Sequence, residues 1–331
     1  MNAKLLNKLI QSISNSDLPS LNQIAHIIIE EERTKGHDKL AKQLEDTMTS
    51  AYLSTTNNDK INDSNTLIKG MSTLPVSRRY NQELATIVTR DKLKHHMVLP
   101  LELEKRFDKI EKEYSARERL KKHNLKPRTK ILFYGPPGCG KTLGAERLAW
   151  NLGLPLMKVK FDAIISSYFG ESAANLRSIF EASTMKPCVL LLDECDFIGK
   201  SRSLGQDVGE IPRIVNMLLM LLDEYDAPGL LVATTNLENS LDKALFRRFD
   251  EVIEIIRPTE KESLNLFKIT LSAFNVCQKV NWEMIIEKVK GYSAASIVQI
   301  AENAAKSSVL EGSITVNQGH LETAIAEISK Y

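Results

Sequence analysis

The run Gly135-Pro136-Pro137-Gly138-Cys139-Gly140-Lys141-Thr142 constrains this chain more than any other stretch, because it satisfies G-x-x-x-x-G-K-[S/T] at every position. Before it, Lys130-Ile131-Leu132-Phe133-Tyr134 is a short apolar run that predicts a strand. After it, residues 142–152 predict a helix, with Leu143, Leu148 and Ala149 set among polar positions. A strand that feeds a glycine-rich turn and then a helix turns successive N–H groups and the positive end of the helix dipole toward one point, which suits phosphate. There Lys141 would neutralise the β- and γ-phosphates, and the Thr142 hydroxyl would ligate Mg²⁺. The pattern predicts nucleoside triphosphate binding on an α/β fold.

Bulk properties narrow the class without naming a task. A chain of 331 residues with 43% hydrophobic and 26% charged content has the composition of a soluble globular protein of two or three units. Its net charge of +2 points neither toward nor away from nucleic acid. The four cysteines, Cys139, Cys188, Cys195 and Cys277, form no C-x-x-C pair and have no histidine at metal-ligand spacing, which predicts reduced thiols. No apolar run reaches the ~18 residues that span a bilayer, and the N-terminus lacks the order of a secretory signal. These features predict a cytoplasmic protein with no membrane contact.

Four segments follow from the patterning. Residues 1–53 predict a helical unit for docking a partner or substrate: Leu5, Leu6, Leu9, Ile10 and Ile13 share one helical face, and Leu21, Ile24, Ile28 and Ile29 form a second stripe. Residues 54–80 are polar and aperiodic, a linker. Residues 81–257 open with helical signals over 82–120, where Leu103, Phe107, Ile110 and Tyr114 recur at helical spacing. They continue with strand candidates at 131–134, 156–161, 188–192, 230–234 and 252–256 that alternate with helices, predicting a parallel sheet covered on both faces. Residues 258–331 carry only helical patterns, at 264–274, 282–289, 294–310 and 319–328, and predict a small helical lid. Residues 92–130 hold thirteen Lys/Arg against six Asp/Glu, but no interleaved aromatics of the kind that stack bases. A solvated helical face explains that run better than a nucleic-acid surface.

Three further motifs carry chemistry. Val189-Leu190-Leu191-Leu192-Asp193-Glu194 is an apolar strand that ends in two carboxylates. Side chains alternate along a strand, so the two acids take different roles: Asp193 for the Mg²⁺ shell, Glu194 to polarise the water that attacks the γ-phosphate. Leu231-Val232-Ala233-Thr234-Thr235-Asn236 ends another strand, and from its carboxyl end Asn236 would reach the γ-phosphate or that water. Arg247 and Arg248 follow a short helix beside the last strand, where they are placed to serve a neighbouring copy's phosphates.

These motifs, in this order, resemble those of the AAA+ ATPases, specifically the AAA subfamily with the second region of homology, over residues 98–310. Residues 135–142, with Leu143 after them, are similar to Walker A, 190–194 to Walker B, Asn236 to sensor 1, and Arg247 and Arg248 to the arginine fingers. Val98-Leu99-Pro100 falls where the family's adenine-flanking segment lies. The resemblance implies ATP and Mg²⁺ as ligands, and homo-oligomeric rings, typically hexamers, with sites shared between subunits. Ser167-Tyr168-Phe169-Gly170-Glu171-Ser172 looks like pore loop 1, implying that Tyr168, Phe169 and Gly170 face the channel and grip polypeptide. Gly291-Tyr292-Ser293-Ala294-Ala295-Ser296 resembles the lid's Gly-x-Ser-Gly-Ala-Asp element, with Ala294 and Ser296 departing from it. Ala295 stands at the nucleotide where other branches carry the sensor 2 arginine. Cys139 replaces the usual threonine of the phosphate loop, an oxidation-sensitive point if its thiol is accessible.

The implied function is ATP-driven remodelling, unfolding or disassembly of protein clients. The chain has no H-E-x-x-H protease signature, and compact proteins of this layout resemble those that work with a separate subtilisin-like protease. The alternatives are a nucleotide-gated scaffold that regulates one protein partner and, less well supported, a nucleic-acid motor or loader using the 92–130 stretch.

Overall fold

Strands buried on both faces must be apolar without a break, and the core of this protein is built on such runs. The computed structural model describes residues 75–76, 82–165, 171–196, 210–236 and 243–329. All belong to the unit spanning Thr66–Tyr331. The helices expected over 1–53, nearly all of the 54–80 linker, and Tyr168, Phe169 and Gly170 lie outside the described residues.

Six strands form the main sheet: β1 (Ala85–Val88), β2 (Lys130–Tyr134), β3 (Leu156–Val159), β4 (Val189–Leu192), β5 (Leu230–Thr235) and β6 (Glu251–Glu254). Their spatial order is β1-β3-β4-β5-β2-β6, parallel throughout except that β1 runs antiparallel to β3. Every residue of β4 and β5 is buried. The alternation of side chains divides the strands between two cores. Leu132, Leu190, Leu192, Leu231 and Ala233 pack with Leu176, Ile179, Ile214 and Leu218. Ile131, Phe133, Val189, Leu191 and Val232 pack with Phe107, Ile110 and Leu148 on the other face. Fully burying one such side chain is worth about 1.5–3 kcal/mol, and a register slip of one residue would exchange the side chains of the two cores.

The helices that cover these faces are α1 (Leu101–Ser115), α2 (Arg117–Lys122), α3 (Lys141–Leu152), α4 (Phe161–Ile165), α5 (Ser172–Met185), α6 (Glu210–Glu224) and α7 (Lys243–Phe246). The charge surplus over 92–130 is partly spent in ion pairs. Arg106 binds Glu251 and the Val252 carbonyl, and Arg128 pairs with both Glu113 and Glu251.

The lid comprises α8 (Glu260–Thr270), α9 (Trp282–Lys288), α10 (Ala294–Leu310) and α11 (Gln318–Ile328), packed around Phe267, Ile285, Ile297, Ile300 and Leu321. Side chains that accept N–H groups start its helices: Asn281, Ser293 and Asn317.

Two expectations are corrected. The 82–120 segment is not helical from its start, since β1 precedes α1 and wins its place by pairing with the edge of β3, burying Leu84 and Ala85 completely. A four-residue strand is too short to show its period in the sequence. The lid is not purely helical either: β7 (Asn275–Val276) and β8 (Thr315–Val316) pair in parallel across it.

Candidate phosphate-binding site

Because β5 is inserted between β2 and β4, three carboxyl-terminal strand ends lie side by side. The phosphate loop follows the first, Asp193 and Glu194 the second, and Asn236 the third. A crevice at the carboxyl ends of parallel strands is where α/β sheets bind their ligands.

The loop's shape demands glycine. Gly135 has φ +134°, and a Cβ there would lie 2.3 Å from the Ile255 carbonyl oxygen. At Gly138, φ is +74° and a Cβ would meet Ser293 Oγ at 2.8 Å, so the loop passes directly under the lid. The Ala295 N–H donates to the Gly138 carbonyl at 2.9 Å, joining the start of α10 to the loop. Gly140 precedes α3 in a left-handed conformation. Lys141 is buried, and its Nζ donates to the carbonyls of Gly135 at 2.9 Å and Pro136 at 2.7 Å. Burial lowers the Lys141 pKa, against the pull of the nearby Cys139, Asp196, Asp193 and Glu194.

A cavity of about 340 Å³ opens above the loop. Pro137, Gly138, Gly140, Lys141, Thr142 and Leu143 form its floor. Asp193, Glu194, Thr234, Asn236 and Ala295 form its walls. Of the residues expected to bind nucleotide, Gly135 and Pro136 contribute carbonyls to Lys141 rather than lining the cavity. Val98 is not brought to it: Met97, one residue earlier, packs toward Gly140 instead, its Cε 3.2 Å from where a Cβ would stand. Cys139 turns away and is 5% exposed, with burial raising its thiol pKa. An oxidation-sensitive Cys139 is therefore not what this environment makes.

Asp193 is the centre of the carboxylate cluster. Its Oδ1 accepts from the hydroxyls of Thr142 at 2.9 Å and Thr234 at 2.6 Å, and its Oδ2 from Lys158 Nζ at 2.6 Å. Burial would raise its pKa, yet these three donors outweigh burial and hold the carboxyl below its ordinary range. Mg²⁺ takes hard oxygen ligands, and the Thr142 and Asp193 oxygens are adjacent, so the donor set fits that ion.

Glu194 is exposed, with a left-handed φ of +55°. Its N–H donates to Thr234 Oγ1 at 2.9 Å, which anchors this strained residue. Asp196 accepts from Thr235 Oγ1 at 2.8 Å, from the Asn236 N–H at 2.8 Å and from Asn236 Nδ2 at 3.0 Å. The Asn236 side chain is thus fixed through its amide nitrogen. Burial opposes ionisation of Asp196, but these bonds and Lys141 keep its carboxyl below the usual range.

Thr234, Asp196 and Lys158 escaped the sequence reading. Traces of all three were present: a paired threonine at a strand end, a third acid two residues after Glu194, and lysines alternating with Met157 and Val159 on a strand.

Arg247 and Arg248 do not line the cavity. Arg247 is exposed, and Arg248 Nε bonds Asp223 at 2.9 Å. Among the described residues that line the cavity, Lys141 is the one cation.

Residues 131–257 match the model of the AAA family, ATPases associated with various cellular activities. A relative described as an uncharacterized AAA family ATPase, y4kL of Sinorhizobium fredii (strain NBRC 101917 / NGR234), is 34% identical over 327 residues, covering 98% of this chain and 94% of its own. A match of that extent, on a P-loop sheet with the carboxylates and Asn236 converging on one cavity, means that the chain belongs to the AAA family of ATPases.

Proposed function

We propose that this ATPase works as a ring of identical subunits, required for turnover, and uses Mg-ATP hydrolysis to remodel protein clients.

 

The observation that carries this reading is the charge of the cavity: among its described lining residues it offers one lysine to a triphosphate, while Arg247 and Arg248 of the same chain are not among them. The Arg248–Asp223 contact is a surface pair, with Asp223 54% exposed, and such pairs are worth about 0–1 kcal/mol. A head-to-tail contact that gives these arginines to the next copy's phosphates forms a ring where its rotation closes and a helical assembly where it does not; a hexameric ring is what the family resemblance implies.

In the proposed reaction, the loop N–H groups and Lys141 bind the phosphates, with Lys141 exchanging its bonds to the Gly135 and Pro136 carbonyls for phosphate oxygens. Bound Mg²⁺, held through Thr142 and Asp193, would neutralise charge on the β- and γ-oxygens. The Glu194 carboxylate accepts a proton from the attacking water, and Asn236 orients that water or the γ-phosphate. The products are ADP and inorganic phosphate. The lid is bonded to the loop through Ala295 and Gly138, so a change of loop occupancy is transmitted to α10. Tyr168 and Phe169 would pass that motion to a client chosen by the N-terminal segment, with a subtilisin-like protease as one candidate partner.

Subunit mixing tests the reading. Glu194→Gln should bind ATP and form rings without turnover, and Arg248→Ala should bind ATP but hydrolyse it poorly. Mixed rings should regain activity at junctions where an intact arginine meets an intact Glu194. Full-speed hydrolysis by a monomer in saturating ATP would refute the shared site, and full client activity of Tyr168→Ala would refute threading.

A further inference from the structure

The charges around Asp193 set how this site meets a phosphate. The described lining of the nucleotide cavity carries two carboxylates, Asp193 and Glu194, against the single ammonium of Lys141. An entering triphosphate adds further negative charge, and Lys141 is the one cationic side chain of that described lining to meet it. A second lysine, Lys158, stands just behind this lining. Its Nζ lies 2.6 Å from Asp193 Oδ2, while Thr142 bonds the other oxygen of the same carboxylate at 2.9 Å. The ammonium and the hydroxyl that would hold the metal thus flank one carboxylate, within roughly one Debye length (~8 Å) at physiological salt.

Two hydroxyls occupy Asp193 Oδ1 while Lys158 bonds Oδ2, so Lys158 both partners that oxygen and brings the one full positive charge among the three donors. The lysine also retains freedom to move, because its side chain is 44% exposed whereas that of Asp193 is 10% exposed. It lines a second cavity of about 500 Å³, with Thr86, Lys160 and Asp162, that shares Asp193 and Glu194 with the first.

We propose that Lys158 is a tethered counter-charge of the nucleotide site, which lends positive charge to the phosphates when metal is scarce and repels metal when it enters. ATP binding by this chain then depends less on Mg²⁺ than it would with Lys141 alone. The inference rests on the nucleotide-binding reading of the site and adds to it a residue outside the recognised motifs. Lys158 acts here as a positioning and charge-balancing residue, through Asp193, and takes no part in the chemical step.

The test is a ratio. Affinity of the full-length protein for a fluorescent ATP analogue is measured in excess Mg²⁺ and in EDTA, and the dissociation constant in EDTA is divided by that in Mg²⁺. Any general loss of affinity cancels in that ratio. Removing one charge at this range should raise it about tenfold in Lys158→Met. Lys158→Gln, neutral but still a donor, should show the same rise, and Lys158→Arg should restore the wild-type ratio. A ratio within twofold of wild type in both neutral variants would overturn the proposal, as would a rise in Lys158→Arg equal to theirs. Lys141→Ala separates the two levels. If it binds the analogue in Mg²⁺ as tightly as wild type, the nucleotide reading itself fails. If it loses binding while the Lys158 ratios stay flat, only the role of Lys158 fails.

Discussion

The hydroxyl of Thr234 joins the Asp193 carboxylate to the Glu194 backbone, and its removal is the sharpest test of the site's geometry. In Thr234→Val the side chain keeps its shape, so no cavity forms and the change is confined to two hydrogen bonds. The bond to Asp193 Oδ1 is 2.6 Å long and has a charged acceptor, worth about 1.5–3 kcal/mol. The bond from the Glu194 N–H is 2.9 Å long and neutral, worth about 0.5–1.5 kcal/mol. Thr234 is 2% exposed, so water does not replace the lost partner. Against these losses, Glu194 is freed from a left-handed conformation that costs about 1–2 kcal/mol. A net destabilisation of about 2 kcal/mol results, which in a unit of this size lowers Tm by about 4–8 °C. Turnover should suffer more than stability, because in the proposed reaction Glu194 must stay in place against the attacking water, and misplacement of that order costs about 100-fold in kcat. Differential scanning fluorimetry and steady-state phosphate release measure the two effects, with Thr234→Ser expected to recover both. A Thr234→Val protein that melts within 1 °C of wild type and hydrolyses ATP at the wild-type rate would refute the reasoning.

Three further outcomes are expected. Gly138→Ala places a Cβ 2.8 Å from Ser293 Oγ at a positive φ, so it should weaken ATP binding at least tenfold by parting loop from lid, read by equilibrium titration. Asp196 has a native carboxyl pKa below its unfolded value near 3.9, so its stabilising bonds are fully present above about pH 4 and are lost as pH falls through the depressed native value. The Tm advantage of wild type over Asp196→Asn should accordingly be constant from pH 8 to 5 and shrink below about pH 4. Alkylation of the folded protein should mark Cys277 first. Cys139, Cys188 and Cys195 are buried, and burial raises the pKa of each, that of Cys188 to about 12, as peptide mapping after iodoacetamide treatment will show.

The amino-acid sequence alone determined the elements whose chemistry is local. A phosphate loop is eight consecutive residues, and its glycines, Lys141 and Thr142 need only the strand before them and the helix after them to take up their roles. The runs that became β2, β4 and β5 were legible for the same reason, since a strand buried on both faces must be an unbroken apolar segment. Asp193 and Glu194 could be given different roles because alternation is a property of any strand. Tertiary structure decided everything that depends on residues far apart in the chain. Only the insertion of β5 between β2 and β4 brings Thr234 to Asp193, forty-one residues away in sequence, and only the pairing of β3 with β4 brings Lys158 there, thirty-five away. The contact of Gly138 with Ser293 needs the lid folded onto the loop, and the four residues of β1 become a strand only against the edge of β3. Periodicity records which face of an element is buried. It does not record which element lies across from it, and at this site the neighbours across the sheet set the charge.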